Sequence, residues 1–263
     1  MVDVAETIDC PNCGAPLPLK AGEVIITCEY CGSAHNMAVG KKFFLKHSII
    51  PNNYISDDIA RIVKEWMGGG FLKPDDLVKR SEIQEIDLTF LPFFVISVVA
   101  YSRYEGVFTR TGENISKTGE LKRAYNWKIL GRRGSKFPTK EYEIPLSGKV
   151  DFDLSRISKE AKFLNAEMDE GEAKSMLEGE IDDHNKYLLS TEVDVIKSIE
   201  TTLDVNNTEF VHAPVWEVRY EYVGKSYEMM LDGASGTVIR GDIPPPDTST
   251  KGFFKSIRKG FFR

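Results

Sequence analysis

The sequence has no cysteine after residue 31 and no apolar run long enough to cross a membrane. All four cysteines lie near the start of the 263-residue chain, whereas a disulfide-stabilised secreted domain distributes cysteines through its loops. The longest apolar run, residues 90–101, is too short for a bilayer and contains Pro92. The opening residues, MVDVAETID, lack the basic start and apolar centre of a signal peptide. We therefore expect a cytoplasmic protein.

The chain also lacks an excess of positive charge. It has 34 lysines and arginines against 40 aspartates and glutamates, a net charge of −6. An acidic surface repels phosphate backbones, so a role on nucleic acid would require a local basic patch. The length is sufficient for one sizeable domain and a small additional module.

No catalytic motif is recognisable in the sequence. The four histidines, at positions 35, 47, 184 and 212, are scattered. There is no phosphate-binding loop, no nucleophile elbow and no pair of carboxylates at metal-ligand spacing. We therefore expect a protein that is not an enzyme, and we infer no small-molecule substrate.

What the sequence does contain is a pair of Cys-x-x-Cys-Gly motifs within CPNCGAPLPLKAGEVIITCEYCG, residues 10–32. Four thiolates at this spacing suit the tetrahedral coordination of a structural zinc ion. The predicted ligands of one zinc ion per chain are Cys10, Cys13, Cys28 and Cys31. Four protein ligands leave no open position for catalysis. An iron–sulfur cluster also takes four thiolates and remains an alternative at this point.

The residues around the cysteines predict a zinc ribbon, a short β-hairpin with two cysteine knuckles. Gly14 and Gly32 follow the knuckles, where the backbone turns sharply and a positive φ is expected. The segments PLPLK and EVIIT read as the two strands of one hairpin, with its turn at Ala21 and Gly22. His35 is expected to be a surface residue rather than a fifth ligand. So small a module has little core, and we expect it to unfold without zinc while the rest stays folded.

The remaining chain predicts an α+β body of mixed helices and antiparallel strands. The clearest helix covers residues 56–70, with Ser56 as its cap and an apolar stripe through Ile59, Ile62, Val63 and Trp66. A short helix is expected from residue 74, and an acidic helical region over 155–189. Residues 191–203 fit a helix or a strand equally.

Strand patterns occur twice in the body. Residues 91–100 are apolar on both faces, which is typical of a central strand. Residues 216–222 alternate between apolar and charged side chains and are followed by a turn at Gly224 and two further strands. These two regions share a proline ahead of an aromatic residue, which raises the hypothesis of a weak internal duplication. The predicted domains are the ribbon (1–40), the body (41–243) and a proline linker with a basic tail (244–263).

Several of these segments resemble one prokaryotic family, the zinc-ribbon proteins labelled as carrying a transcription-factor-B-type ribbon. The resemblance rests on CPNCGAPLP and CEYCGS, on FLKPDDL and LTFLPFFVISVVA, and on PVWEVRYEYVGKSYEMMLDGASGTVIRGDIP. It implies a ribbon joined to an α+β body without established enzymatic activity. Many members continue into transmembrane helices, whereas this chain continues with PPPDTSTKGFFKSIRKGFFR.

That tail has five basic residues and no acidic one from residue 251 onward. On a helix, its apolar side chains would lie on one face with most basic ones opposite, which suits an anionic membrane surface or a protein partner. The candidate contact residues are Phe253, Phe254, Lys255, Ile257, Arg258, Lys259 and Phe261. Peripheral association with the inner face of the cell membrane is therefore one hypothesis, and docking on the protein's own body is another.

A second basic segment covers residues 117–140, with eight basic residues, one acidic residue and interleaved aromatic side chains. This composition could follow a nucleic-acid backbone and stack bases. The candidate contacts are Lys122, Arg123, Lys128, Arg132, Arg133 and Lys136. The alternative interpretation, which we favour, is an amphipathic hairpin in which Tyr125, Trp127 and Ile129 share one face.

The sequence thus leads to two hypotheses of different kinds. The first is a non-enzymatic zinc-binding adaptor or scaffold that binds an unidentified protein partner, an anionic membrane surface, or both. The alternative is an RNA- or DNA-associated factor of the transcription or translation machinery that uses residues 117–140.

Overall fold

The computed structural model describes residues 7–18, 20, 22–36, 46–70 and 72–245. The strands and α-helices of these residues are, in chain order, β1 (Thr7–Asp9), β2 (Pro16–Pro18), β3 (Ile25–Thr27), β4 (Ala34–Asn36), β5 (His47–Ile49), α1 (Ser56–Gly68), α2 (Leu77–Arg80), β6 (Ser81–Phe108), β7 (Ile115–Leu130), β8 (Val150–Asp151), β9 (Lys162–Phe163), α3 (Glu170–Leu189), β10 (Val195–Tyr222), β11 (Lys225–Asp232) and β12 (Val238–Gly241). The mixture of helices with mainly antiparallel sheet confirms the α+β class.

The chain forms two compact units, and the long strands β6 and β10 contribute residues to both. Of the described residues, the first unit comprises those up to Pro51 together with Phe90–Pro214, and the second comprises Asn52–Thr89 and those from Val215 onward. The domain boundaries drawn from the sequence stay a prediction, and the first of them, at residue 40, lies outside the described residues.

The core of the first unit forms where β6, β7 and β10 pack against α3. β6 and β7 pair antiparallel from Phe93 opposite Leu130 to Phe108 opposite Ile115. β5 pairs parallel with β10 and antiparallel with β8. The buried core residues are Ile25, Ala34, Phe94, Ile96, Val98, Ala100, Ile129, Ala166, Met168, Ala173, Leu177, Ile181 and Phe210. The buried central strand predicted over 91–100 is therefore confirmed as part of the longer β6.

Helix α3 begins later than the acidic composition suggested. Residues 154–156 form a single 3₁₀ turn, and the α-helix starts only after Asp169, whose carboxylate accepts a hydrogen bond from the Glu172 backbone N–H at 2.9 Å. An aspartate at this position satisfies an amide that has no partner within the helix. Residues 195–203, which fitted helix or strand equally, belong to β10.

The second unit contains α1, α2 and an antiparallel meander of β10, β11 and β12. The predicted alternation is confirmed, since Trp216, Val218, Tyr220 and Tyr222 are buried and the charged residues between them are exposed. α1 begins at Ser56, so Ile55 rather than Ser56 is its cap. α2 begins at Leu77, three residues after the predicted start at residue 74. Of the α1 stripe, Ile59 and Val63 are fully buried and Ile62 and Trp66 partly buried. Among the described residues, no helix is both long and apolar enough to span a membrane.

Candidate metal centre

The four cysteines come together within the described residues 7–36, which we call the cysteine module. Their Sγ atoms all lie within 4.8 Å of one another. The Cys10–Cys31 and Cys13–Cys28 sulfur pairs are each 3.7 Å apart, far beyond the roughly 2.05 Å of a disulfide bond. The arrangement is compatible with one structural metal ion held by all four thiolates.

Each half of the module is a small hairpin closed by its own pair of cysteines. The first knuckle, residues 10–15, has a hydrogen bond from the Gly14 N–H to the Cys10 carbonyl at 2.8 Å, and β1 pairs with β2 across it. The second knuckle, residues 28–33, has the equivalent bond from Gly32 to Cys28 at 2.9 Å. Gly14 and Gly32 have φ values of 74° and 72°. The predicted positive φ at both glycines is therefore confirmed.

The strand pairing differs from the sequence-based prediction. We expected PLPLK and EVIIT to form one hairpin, but β2 pairs with β1, and β3 pairs with β4. The physical reason is that each Cys-x-x-Cys-Gly turn already reverses the chain, so it brings together the strands before and after the knuckle. The segment between the knuckles links two hairpins rather than forming one.

In each knuckle the first cysteine is buried and the second is exposed. Cys10 and Cys28 pack with Leu17 and Ile26 in a small core of the module. Burial raises the pKa of the Cys28 thiol to about 12. Burial also acts to raise the pKa of Cys31, but hydrogen bonds from Ser33 and Asn12 outweigh it and lower that pKa to about 6.

His35 is buried beside the sulfur atoms, which corrects the expectation of a surface residue. Only 4% of it is exposed. Its Nε2 atom lies 2.7 Å from the Ser33 hydroxyl and 3.4 Å from Cys10 Sγ. Burial lowers the pKa of its imidazole. It therefore packs around the cysteines, and the four ligand atoms that converge are all sulfur.

The cysteine module packs directly against the core of the first unit. Ile25 lies in the unit's core, while its neighbour Ile26 lies in the module's own core, so β3 is buried on both faces. Ile25 forms an isolated β-bridge with Ala166. Beside it, the Thr27 N–H donates to the Asn165 side-chain oxygen at 3.0 Å. The module is thus joined to the body by backbone pairing as well as by apolar contact.

A second connection passes through two histidines, of which His212 is fully buried and His47 is partly buried. His47 Nδ1 lies 3.2 Å from the Gly32 carbonyl of the second knuckle, and His47 Nε2 lies 2.8 Å from His212 Nδ1. His212 Nε2 then reaches the Leu164 carbonyl at 2.9 Å. Burial lowers the pKa of His47 to about 4, and burial together with the neighbouring His47 lowers the pKa of His212 well below its ordinary value. No local sequence pattern indicates this pair, since its members lie 165 positions apart in the chain.

Several basic side chains of residues 117–140 form hydrogen bonds or ion pairs with other parts of the protein. Lys128 donates to the Tyr142 carbonyl, Arg132 forms an ion pair with Glu167 at 2.8 Å, and Arg133 forms one with Glu172. Lys122 lies over the Tyr101 ring, and Arg123 and Lys136 are exposed.

The aromatic residues of this segment face the protein as the amphipathic interpretation expected. Tyr125 and Trp127 hydrogen bond to α3, and Phe137 packs with Phe93 and Tyr142. Nucleic-acid binding by residues 117–140 stays a prediction. The contact residues expected in the tail, from Phe253 to Phe261, lie outside the described residues.

Comparisons of the chain with protein-family models, with curated proteins and with solved structures each found no match.

Proposed function

We propose that Cys10, Cys13, Cys28 and Cys31 bind one structural zinc ion, and that the chain acts as a non-enzymatic adaptor or scaffold for another macromolecule. The observation that carries the metal proposal is the convergence of the four sulfur atoms within 4.8 Å. A tetrahedron with zinc–sulfur bonds of about 2.3 Å has sulfur atoms about 3.8 Å apart. The 3.7 Å separations of two of the sulfur pairs fit that geometry.

A structural role is favoured over a catalytic one by the ligand set. Four thiolates complete the coordination of zinc and leave no position for water or substrate. Metal binding would also fix the geometry of both knuckles, and the second knuckle is joined to the body through His47 and β3. The ion would thereby hold a small module with little core of its own in a defined position on the first unit.

The adaptor part of the proposal rests on this construction together with the sequence resemblance. We include membership of the prokaryotic zinc-ribbon family in the proposal. A module fixed to the body presents Cys13, Cys31 and Tyr30 at the surface, and Tyr30 is 70% exposed. Exposed aromatic side chains are frequent in protein–protein contacts. The partner, and any membrane contact of the tail, belong to the prediction made from the sequence.

The metal proposal is tested by native mass spectrometry and a thiol-displacement assay on the purified full chain. We expect one zinc ion per chain, and we expect Cys28→Ser to lose it. The control is Ser33→Ala, which leaves all four sulfur ligands in place and should retain the metal. Recovery of iron in place of zinc, or of no metal at all, would contradict the proposal.

The adaptor role is tested separately by quantitative affinity capture of the full chain and of a chain ending at residue 243. A partner that is recovered with both chains, and lost with a variant in which all four cysteines are serine, supports a role for the cysteine module. A specific turnover catalysed by the pure protein would contradict the non-enzymatic proposal.

A further inference from the structure

The first unit has a groove of about 770 Å³ on the side of β7 that faces α3. Its walls are β7, α3 and the loop of residues 137–141. The aromatic side chains that line it are Tyr125, Trp127, Phe137, His184 and Tyr187. This volume lies within the range of sites that enclose small organic ligands, which are typically aromatic with a few polar groups.

The α3 wall presents one face of the helix to the groove. Glu180, Asp183, His184 and Tyr187 follow the spacing i, i+3, i+4 and i+7, which places them on the same side. Tyr187 is 74% exposed. Its ring therefore stands at the rim with space beside it, in contrast to the packed rings deeper in the groove.

The rings on the β7 wall are held in place by hydrogen bonds. The Tyr125 hydroxyl donates to Asn185 Oδ1 at 2.8 Å, and Asn185, which is fully buried, donates in turn to Ser102 at 2.9 Å. The Trp127 indole N–H donates to Glu180 Oε2 at 2.7 Å. His184 packs edge-on against both rings, with centroids 5.6 and 5.4 Å away. The aromatic floor is thus preorganised.

The loop wall is fixed by aromatic packing as well. Phe137 packs edge-on against Phe93 and Tyr142, with centroid distances of 5.8 and 5.5 Å. Phe93 and Tyr142 are both buried. Because all three walls are held by buried contacts, a ligand would meet a site that costs little to organise.

The polar groups of the groove favour a positive ligand. The lining contains the carboxylates of Glu141, Glu180 and Asp183, and within the described residues neither of the two glutamates has an ion pair. Lys128, one of the two lining lysines, donates to the neutral Tyr142 carbonyl and keeps its charge, so three carboxylates face two lysines in the lining. Helix α3 carries six acidic and two basic side chains, a net charge of −4. The lining as a whole has three carboxylates and two lysines, a net charge of −1, and its acidic side is the α3 wall, which would attract a cation.

We propose that this groove binds a small organic cation whose positive centre is an alkylated ammonium group. Such a cation is attracted to the faces of tryptophan and tyrosine rings. Its transfer from water into an aromatic site costs less desolvation free energy than that of a primary ammonium. The Glu180 carboxylate, oriented by the Trp127 indole, supplies the opposite charge. This site is separate from the proposed metal centre and goes beyond the adaptor role.

The test follows the indole N–H signals of the full chain, as purified, in a nitrogen–proton correlation spectrum. The chain has three tryptophans, and the signal of Trp127 is assigned by its loss in Trp127→Phe. Choline and free Nε-trimethyllysine are titrated as two probes, which distinguish a free or headgroup-type cation from a methylated side chain. The neutral isostere 3,3-dimethylbutanol and sodium chloride are titrated alongside. We expect at least one cation to give a saturable shift of the Trp127 signal that neither control reproduces.

Two variants locate the charge and the ring. Glu180→Gln can still accept the indole hydrogen bond but has no charge, and we expect it to weaken cation binding by about fivefold or more. Glu178→Gln removes the same charge from an exposed position outside the groove and should change binding less than about twofold. Tyr187→Ala, at an exposed rim position, should also weaken binding without affecting the fold. An equal response to the neutral isostere, no saturable shift with either cation, or equal effects of the two glutamine variants would overturn the proposal.

Discussion

The two cysteine knuckles have nearly the same backbone and very different surroundings. The turn hydrogen bonds are 2.8 and 2.9 Å long, and the turn glycines, Gly14 and Gly32, have φ values of 74° and 72°. A Cβ added at Gly14 would meet nothing within 4 Å, whereas one at Gly32 would lie 2.8 Å from the Phe152 ring. The turn glycine of the first knuckle faces open space, whereas the turn glycine of the second lies against Phe152 of the body.

The two copies of this local motif therefore differ in their contacts, because the second copy also packs against the body. Two thiolates followed by a turn glycine occur in both knuckles, as the proposed ion with four thiolate ligands would require. The contacts with His47, Phe152 and Asn165 surround only the second knuckle and the adjoining β3. We therefore expect both knuckles to need the metal equally for their stability. We expect contacts with the body to stabilise the second knuckle more than the first.

Metal removal should have the largest effect and should separate the two knuckles. Structural zinc contributes on the order of 10 kcal/mol of apparent folding energy in small modules. After chelation, we expect amides around Cys10 and Gly14 to exchange without protection. The amides of Ile25 and Thr27 should keep partial protection because they bond to Ala166 and Asn165. Hydrogen exchange with mass spectrometry measures both, with the second unit as the internal control. Equal exchange in the two regions would show that the body gives β3 no support.

Acidification should destabilise the contact of the second knuckle with the body through His47 and His212. The folded-state pKa of His47 is about 4, below the ordinary value of 6.5, so the unfolded chain binds a proton at a higher pH than the folded chain does. The contribution of this histidine to the free energy of unfolding is therefore fully present above about pH 6.5. It falls as the pH drops towards 4, by at most about 1.4 kcal/mol per pH unit. His212 acts in the same direction because burial also lowers its pKa.

The histidine effect is measured by urea denaturation of the wild type and of His47→Gln from pH 7.5 to 4.5. Both chains carry the same cysteines, so the difference between their pH slopes isolates the histidine from any loss of metal. We expect a shallower slope in the variant. Parallel slopes would contradict the lowered pKa of His47.

Alanine at the two turn glycines should give unequal losses of stability. Gly14→Ala places a side chain at positive φ and should cost about 1–2 kcal/mol. Gly32→Ala carries the same penalty and also drives a methyl group into the Phe152 ring, which is stacked on His47 with centroids 3.9 Å apart. The overlap should add about 1–3 kcal/mol. Denaturation of both metal-loaded variants measures the difference, and Phe152→Ala in the Gly32→Ala background should recover part of it. Equal losses of stability in the two variants would count against close contact between Gly32 and Phe152.

The smallest expected effect comes from two asparagines near the knuckles. Asn165→Ala leaves the Thr27 N–H without its acceptor and removes a bond to Glu23 at 3.1 Å, which should cost about 1 kcal/mol or somewhat more. Asn12→Ala removes an exposed contact to Cys31 Sγ at 3.5 Å and should change stability by less than about 0.5 kcal/mol. Thermal denaturation of the two variants checks the order, and a larger loss at Asn12 would reverse it.

The sequence alone was enough to select the four cysteines that the fold brings together, and to predict several strands. Cysteine spacing is a local property, and a thiolate pair needs only its own turn to face an ion, so Cys10, Cys13, Cys28 and Cys31 could be selected without any tertiary information. The alternation over residues 216–222 likewise reflects one buried face and predicted the end of β10. The Asp169 and Glu172 spacing also indicates the start of α3, but the prediction extended the helical region upstream to residue 155.

The tertiary structure decided how these local pieces are joined. Strands in the cysteine module pair across the two knuckle turns, so two hairpins exist where the sequence predicted one. His35 is polar enough to sit at a surface, and only packing buries it. His47 and His212 become neighbours because β5 and β10 pair side by side in parallel. The knuckle turns and the spacing of the cysteine pairs follow from local chemistry. Burial and long-range strand pairing depend on contacts between residues far apart in the sequence, which a local pattern does not predict.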